Sequence, residues 1–363
     1  MPFIGIGLLS GIMATGHADP DATSFFTELR GYKDLIMAKK RVLSGMQPSG
    51  LLHLGNLMGA LDNWRKLQDE YECYYFIADW HALTTQYADT SKMRAFTREM
   101  VIDWIAAGID PEKCVIFQQS HLPEHAALHV LLSMITPLPW LERVPTYKEK
   151  MAEVRDKDLH TYGFLGYPVL QAADILIYKA DFVPVGIDQL PHLELTREIC
   201  RRFNSFYGDT LPEPQPLMTR HPKLLGTDGR KMSKSYNNTI NLSDSPEVIA
   251  KKIMAMVTDP ARVRRQDPGN PDVCPLFVLD RIFAPREWQD HINVECRRAG
   301  VGCVDDKKEL LKHLLAYLAP IHERRRELSA APKKITELIA EGSRRARGVA
   351  QKTLEEAYEA IKL

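Results

Sequence analysis

The chain has 363 residues and a mass of 41.3 kDa, which is enough for two domains and for a core that needs no disulfide staples. Lys and Arg number 47, as do Asp and Glu, so no global charge calls for nucleic acid. Six scattered cysteines exclude a secreted disulfide scaffold and suit a reducing cytosol, so a cytoplasmic location is expected. Residues 3–14 are apolar and Gly-rich, but they lack a cationic flank before them and are too short to span a bilayer. The acids that follow argue against a transit peptide, and Met37-Ala38-Lys39-Lys40-Arg41 reads as a start of its own. Residues 1–40 are expected to form a disordered extension.

Arg41–Gly45 reads as a strand that breaks into the turn Gln47-Pro48-Ser49-Gly50, with a helix from about Asn56 to Leu67. Cys73–Ala78 is aromatic and β-branched, hence a second strand. Ser91–Ala107 carries Met93, Phe96, Met100, Val101 and Trp104 at helical spacing. Cys114–Gln118 is a third strand, a helical insertion covers about 123–160, and Asp181–Gly186 is a fourth strand. Strand–helix alternation of this kind predicts a doubly wound, Rossmann-like parallel sheet over 41–236. From Ser243 onward the pattern is helical, with breaks expected at Pro260, Pro268, Pro271, Pro275, Pro320 and Pro332. Residues 237–363 are therefore assigned to a second, all-helical domain.

Two segments carry chemistry. His53-Leu54-Gly55-Asn56 falls in the turn after the first strand, where helix N-termini present free N–H groups to phosphates. Gly55 lets a ligand approach the backbone, and His53 adds donors. About 180 residues later, Lys231-Met232-Ser233-Lys234-Ser235 places two lysines three apart in a Gly- and Ser-rich loop. A lone KxxK is usually a solvated basic loop, whereas the whole pentapeptide is a specific signal.

Together these segments resemble the HIGH and KMSKS signatures of class I aminoacyl-tRNA synthetases. Gln47–Gly50, Ala78-Asp79-Trp80-His81-Ala82, Tyr167–Leu170, Gly186–Gln189 and His192–Arg197 extend the match in order. Over about residues 41–363 the chain is similar to the bacterial tryptophanyl-tRNA synthetase family. The resemblance implies activation of L-tryptophan with ATP and Mg²⁺, transfer to tRNA(Trp), a homodimer, and no membrane partner. It places His53, Lys231 and Lys234 in catalysis. It puts Gln47, Pro48, Ser49, Gly55, Asn56, Gly186, Ile187, Asp188, Met232, Ser233 and Ser235 around ATP, with Leu224 against the adenine.

Asp174 stands in an apolar helical run, where a carboxylate is costly without a partner. It is read either as bonded to a neighbouring group or as the acceptor of an indole N–H, which can only donate. Leu43, Val183 and Val185 would wall the ring, and Tyr167 and Gln189 would hold the ammonium end. Gln171 departs from the family's usual Met and keeps a tyrosyl-tRNA synthetase as an alternative. His81 is read equally as a core histidine bonded to Asp79 or as a substrate contact. No metal ligands are assigned. Cys274, Cys296 and Cys303 resemble part of an iron–sulfur motif, but Asp306 holds the fourth position, so a cluster is not expected. Lys307–Leu363 carries 13 Lys and Arg against 8 Asp and Glu, concentrated at Arg324-Arg325-Arg326 and Arg344-Arg345-Ala346-Arg347. Those charges are either solvated helix faces or tRNA phosphate contacts. A catalytically silent, synthetase-like RNA-binding regulator is the alternative from another class. A small-molecule nucleotidyltransferase shares only the first turn.

Overall fold

The computed structural model describes residues 39–145, 147, 159–218 and 224–363, so the expected extension and part of the insertion lie outside the described residues. Lys40–Leu363 form one compact unit. Its centre is a five-stranded parallel sheet in the order β3-β2-β1-β4-β5. The strands are β1 (Arg41–Met46), β2 (Glu72–Ile77), β3 (Cys114–Gln118), β4 (Phe182–Val185) and β5 (Gln215–Met218). Helices on both faces bury both sides of a strand, which is why Val42 and Leu43 point to opposite faces and are both buried.

The chain builds outward from β1 to β3, then returns to start β4 on the other side. The switch point therefore lies between β1 and β4. β1 pairs with β2 along its whole length but with β4 only at Val42 and Phe182, so those two strands part toward their carboxyl ends. Such a crevice is where open α/β sheets bind ligands.

The four expected strands are present to within a residue or so. β5 was not foreseen from sequence. It is four residues long and contains Pro216, which costs a ladder bond in a central strand but is tolerated at a sheet edge.

The helices are α1 (Asp62–Glu70), α2 (Asp79–Gln86), α3 (Met93–Ala106), α4 (Glu124–Ile135), α5 (Leu138–Glu142), α6 (Tyr162–Leu176) and α7 (Leu190–Tyr207). After the second motif come α8 (Pro246–Ala255), α9 (Pro275–Phe283), α10 (Arg286–Arg297), α11 (Cys303–Ser329) and α12 (Pro332–Ile361). Pro275 and Pro332 open their helices, where the missing N–H has no partner to lose. Pro320 does not break the chain as expected, because α11 runs through it. An interior proline costs roughly 3 kcal/mol. The buried stripe Leu310, Leu314, Leu318 and Ile321 on the same helix offsets that cost.

α12 covers the exposed edge at β3. Its Gly342 sits so close that a Cβ there would fall 1.8 Å from the Ile116 carbonyl oxygen. The neighbouring Ser343 hydroxyl accepts from the Gln118 N–H at 3.3 Å and lies 3.1 Å from His121 Nδ1. Gly342→Val should therefore destabilise the protein by about 2–4 kcal/mol. A thermal melt within a degree or so of wild type would mean that the helix can lift off the strand at no cost.

Part of the basic clusters serves helix packing here and on α11. Arg345 donates to the Pro111 carbonyl at 3.2 Å, and Arg347 pairs with Glu124 and the His121 carbonyl. Arg325 is buried against Asp103 and Glu99 of α3. Of these six arginines, Arg324, Arg326 and Arg344 keep exposed side chains that make no ion pair to another segment among the described residues, although Arg324 donates to the Ala106 carbonyl at 3.4 Å.

Candidate active site

The loop after β1 and the loop before α8 are joined by backbone pairing. Leu54 N–H donates to the Ile240 carbonyl at 3.0 Å, and Leu242 N–H donates to the Leu52 carbonyl at 2.8 Å. His53 and Asn241 sit opposite one another in this short antiparallel ladder. Residues about 190 apart in sequence thus become one wall of the crevice.

His53 caps the first helical turn, and its own N–H is held by Asn56 Oδ1 at 3.1 Å. Gly55 is required next to it, since a Cβ there would meet the imidazole at 2.9 Å. The ring is buried, and among the described residues its Nδ1 has no hydrogen-bond partner. Burial, aided by the charge of Lys234, pushes its pKa down to about 4. A neutral imidazole whose buried nitrogen lacks a hydrogen-bond partner is a candidate ligand contact.

Lys234 reaches across from the second motif and donates to the Gly50 carbonyl at 2.9 Å. Gly50 has φ +139°, a conformation that favours glycine, and a Cβ there would lie 3.1 Å from Lys234 Cδ. Burial lowers the Lys234 pKa to about 8, against the opposing charge of Asp103. Lys231 and Ser235 are exposed, Met232 is buried, and Ser233 Oγ lies 2.9 Å from Ser235 Oγ.

Asn238, which sequence reasoning missed, shapes this loop. Its side chain donates to Asp228 Oδ1 at 2.7 Å and to the Lys231 carbonyl at 3.1 Å, and accepts from the Ser233 N–H at 2.8 Å. Gly226 leaves room for it, as a Cβ there would meet the amide at 2.3 Å.

The remaining expected nucleotide residues lie at the carboxyl ends of β1 and β4. Gln47, Pro48 and Ser49 form the turn after β1, with the Ser49 N–H donating to the Gln47 carbonyl. Gly186, Ile187 and Asp188 follow β4, and Ile187 is 78% exposed, a large apolar side chain open at the crevice. Leu224 is buried in the same apolar cluster as Met232, Ile240 and Leu242.

On the other face of the sheet, Leu43, Val183 and Val185 are buried in one cluster with Ala172 and Ala173 of α6. Tyr167 is buried nearby, its hydroxyl 3.3 Å from His192 Nε2, while the Gln189 amide donates to Asp188. A cavity of about 340 Å³ opens beside Tyr167, lined by Trp80, His129, Tyr162, Gly166 and Leu170. Asp174 is fully buried and has three donors. Gln119 Nε2 and His125 Nδ1 meet Oδ1 at 2.7 and 2.6 Å, and His81 Nε2 meets Oδ2 at 2.7 Å. His125 Nε2 in turn lies 2.8 Å from the Tyr178 hydroxyl. Burial pushes the Asp174 carboxyl up, but the hydrogen bonds from His125 and His81 outweigh it and hold it below the usual range.

His81 thus pairs with Asp174, not with Asp79, whose carboxylate is taken by Gln118 and the N–H groups of Trp80 and Ser120. Gln119, His125 and Tyr178 gave no signal in the sequence beyond being polar groups next to apolar runs.

The three cysteines of the helical part gather around Arg262. Its Nη1 lies 3.6 Å from Cys296 Sγ and 3.7 Å from Cys303 Sγ, and its Nη2 donates to the Arg265 and Val301 carbonyls. Asp306 accepts from Trp288 Nε1 at 3.3 Å, and the space these residues enclose with Cys274 is about 10 Å³. A guanidinium lies where an iron–sulfur cluster would need open volume, so the residues as placed do not fit that group.

The family described as tRNA synthetases class I (W and Y) matches residues 37–319. The tryptophan–tRNA ligase of Thermotoga maritima is 56% identical over 325 residues, covering 89% of this chain and 99% of its own length. That of Aquifex aeolicus is 46% identical over 393 residues, covering 89% of this chain and all of its own. Among solved structures, Campylobacter jejuni tryptophanyl-tRNA synthetase complexed with ADP and tryptophane superposes with a TM-score of 0.81 at 34% identity, covering 89% of this chain and 100% of that one.

Proposed function

The chain belongs to the class I tRNA synthetases of the tryptophan and tyrosine family, and from that membership we infer how its own residues carry the reaction. The reaction is activation of L-tryptophan by ATP to tryptophanyl-adenylate, followed by transfer to tRNA(Trp). The carboxylate of tryptophan attacks the α-phosphorus and pyrophosphate leaves, so the enzyme's task is to align the reactants and stabilise charge on the phosphates. The observation that carries this assignment is the meeting of His53, Gly50 and Lys234 at the switch point of the sheet.

Lys234 and the exposed Lys231 bear on the leaving pyrophosphate, and the neutral His53 donates a hydrogen bond to the phosphate chain. The turn Gln47–Ser49, Gly55, Asn56, Gly186–Asp188, Leu224 and Met232–Ser235 enclose ATP. Among the described residues no cluster of three His, Cys, Asp or Glu gathers to hold a metal ion. The donors around the crevice suit phosphate, and Mg²⁺ carried on the nucleotide would supply neutralising charge there.

Tryptophan lies with its ring between Leu43, Val183 and Val185, its ammonium toward Tyr167 and Gln189, and its indole N–H on Asp174. Asp174 Oδ1 already has two donors and Oδ2 has one, which leaves an acceptor position for a ligand N–H. The enzyme works as a cytoplasmic homodimer, paired through the insertion, where Val130, Met134 and Leu138 are exposed. Residues 237–363 form the tRNA-binding part, with Arg324, Arg326 and Arg344 available to phosphates. No helix among the described residues is long and apolar enough to cross a membrane.

ATP–pyrophosphate exchange with tryptophan and with tyrosine in parallel tests the assignment. Exchange with tryptophan exceeding that with tyrosine by about 10²-fold or more is expected, because the walls of Leu43, Val183 and Val185 are apolar and give a phenol hydroxyl no second polar partner beside Asp174. Exchange with tyrosine alone would transfer the role to Gln171.

A further inference from the structure

We propose that Tyr178 and His125 are positioning residues for substrate recognition: their hydrogen-bond relay fixes one oxygen of Asp174 so that the other presents an open lone pair to the indole N–H. The proposal deepens the assignment above and rests on Asp174 being the indole acceptor. Both residues are completely buried. His125 stands in the first turn of α4, and Tyr178 follows the end of α6, four residues after Asp174. The Tyr178 ring stacks on Tyr74 at 5.1 Å between centroids and tilts against Phe117 at 5.1 Å. Phe76 and Phe117 flank the imidazole at 6.4 and 6.1 Å.

The direction of each hydrogen follows from counting donors and acceptors. An ionised Asp174 can only accept, so His125 Nδ1, 2.6 Å from its Oδ1, carries a hydrogen. Burial holds the Tyr178 hydroxyl well above its usual pKa, so it keeps its proton. Among the described residues the hydroxyl bonds to His125 Nε2 alone, at 2.8 Å. If that nitrogen carried a hydrogen as well, the Tyr178 O–H would have nothing to donate to, and a buried bond left unmade is costly. Tyr178 therefore donates, Nε2 accepts, and the ring hydrogen is confined to Nδ1. Gln119 is locked in the same sense. The Trp80 N–H donates to its Oε1 at 3.2 Å, which leaves Nε2 to donate to Asp174 Oδ1 at 2.7 Å.

Oδ1 thus has two fixed donors on its two lone pairs, whereas Oδ2 meets His81 Nε2 at 2.7 Å and keeps one lone pair open. The indole N–H falls on Oδ2, beside His81. Without the Tyr178 hydroxyl, the His125 hydrogen is free to move to Nε2. A bare Nδ1 would then face a carboxylate oxygen, two acceptors in contact, and the carboxylate would turn from its place.

Pyrophosphate exchange with tryptophan and with β-(benzothiophen-3-yl)-L-alanine, in which sulfur replaces the indole N–H, reads the acceptor directly. The ratio of kcat/KM for the two should be about 10–10² in the wild type, the worth of one hydrogen bond to a charged acceptor. Tyr178→Phe removes one oxygen and keeps the ring. It should lower that ratio about five- to tenfold, with the KM for ATP within about twofold of wild type, and His125→Phe should do the same. His125→Asn offers an amide N–H in place of Nδ1–H and has no tautomer to lose. Its ratio should stay within about threefold of wild type, and adding Tyr178→Phe to it should lower the ratio no further.

A folded Tyr178→Phe that keeps the wild-type ratio, with both amino acids falling together or neither, would overturn the proposal. So would a fall on adding Tyr178→Phe to His125→Asn as large as in the wild-type background, since Tyr178 would then act without His125. Loss of folding in both Tyr178→Phe and His125→Phe would overturn it by assigning the relay to stability alone. A wild type that uses both amino acids equally well sinks the underlying assignment of Asp174 instead, so the two failures are distinguishable.

Discussion

Lys234→Ala should lower tryptophan-dependent pyrophosphate exchange by about 10²–10³-fold, or about 3–4 kcal/mol of transition-state stabilisation. The cause is the position of the ammonium group. It is held on the Gly50 carbonyl at 2.9 Å, across the crevice from its own loop, in surroundings that exclude enough water to lower its pKa to about 8. A fixed charge there is worth more than one in water, because less solvent screens it and little reorganisation is needed as charge develops on the leaving phosphates. Lys231 is exposed, so Lys231→Ala should cost less. The same burial sets the pH dependence. Between about pH 4 and 8 the free enzyme carries a neutral His53 and a charged Lys234. The kcat/KM for ATP should therefore hold level through neutrality and fall above about pH 8 as Lys234 loses its proton. The kcat limb should lie higher, since bound phosphates favour the charged lysine. A Lys234→Ala enzyme within tenfold of wild type, or a kcat/KM flat to pH 10, would place the charge stabilisation elsewhere.

What was legible in the sequence divides along a physical line. β1 to β4 and the long helices read correctly, because a strand buried on both faces and an amphipathic helix each leave a periodic apolar signature. β5 left none, being short, at an edge and interrupted by Pro216. Pro320 was read by the local rule and overruled by packing along α11, a long-range effect that no window of sequence contains. The two signature loops were legible as motifs, but the ladder that joins Leu52–Leu54 to Ile240–Leu242 was not, since it pairs segments about 190 residues apart. Charge was the least legible property. Arg325 and Arg347 look like tRNA contacts in a basic run, yet their partners, Asp103 and Glu124, lie more than 200 residues earlier on other elements. Asn238 likewise looks like any loop asparagine until Gly226 is seen to make room for it.

Asp174→Ala should raise the KM for tryptophan so that kcat/KM for that substrate falls by about 10²–10³-fold, with the KM for ATP changed little. Two costs combine. The indole N–H loses a charged acceptor, worth about 1.5–3 kcal/mol, and the donors of His81, Gln119 and His125 are left buried with nothing to meet. Asp174→Asn is not a gentle substitute, because its amide nitrogen would present a donor to a group of donors. The three partners also explain how so deeply buried a carboxylate stays ionised: burial pushes its pKa up, and the hydrogen bonds from His125 and His81 pull it below the usual range. A folded-state pKa that is depressed contributes stability above the unfolded value and loses it as pH falls through the folded one. Acid loss of tryptophan binding in the wild type should therefore begin below the ordinary carboxylate range, under about pH 4. Isothermal titration with tryptophan from pH 3 to 8 checks this. Binding that weakens already between pH 5 and 6 would show that a histidine charge, not Asp174, governs the pocket. Unchanged binding in Asp174→Ala would move the indole N–H to another acceptor and leave Asp174 as the anchor that ties α2, α4 and α6 together.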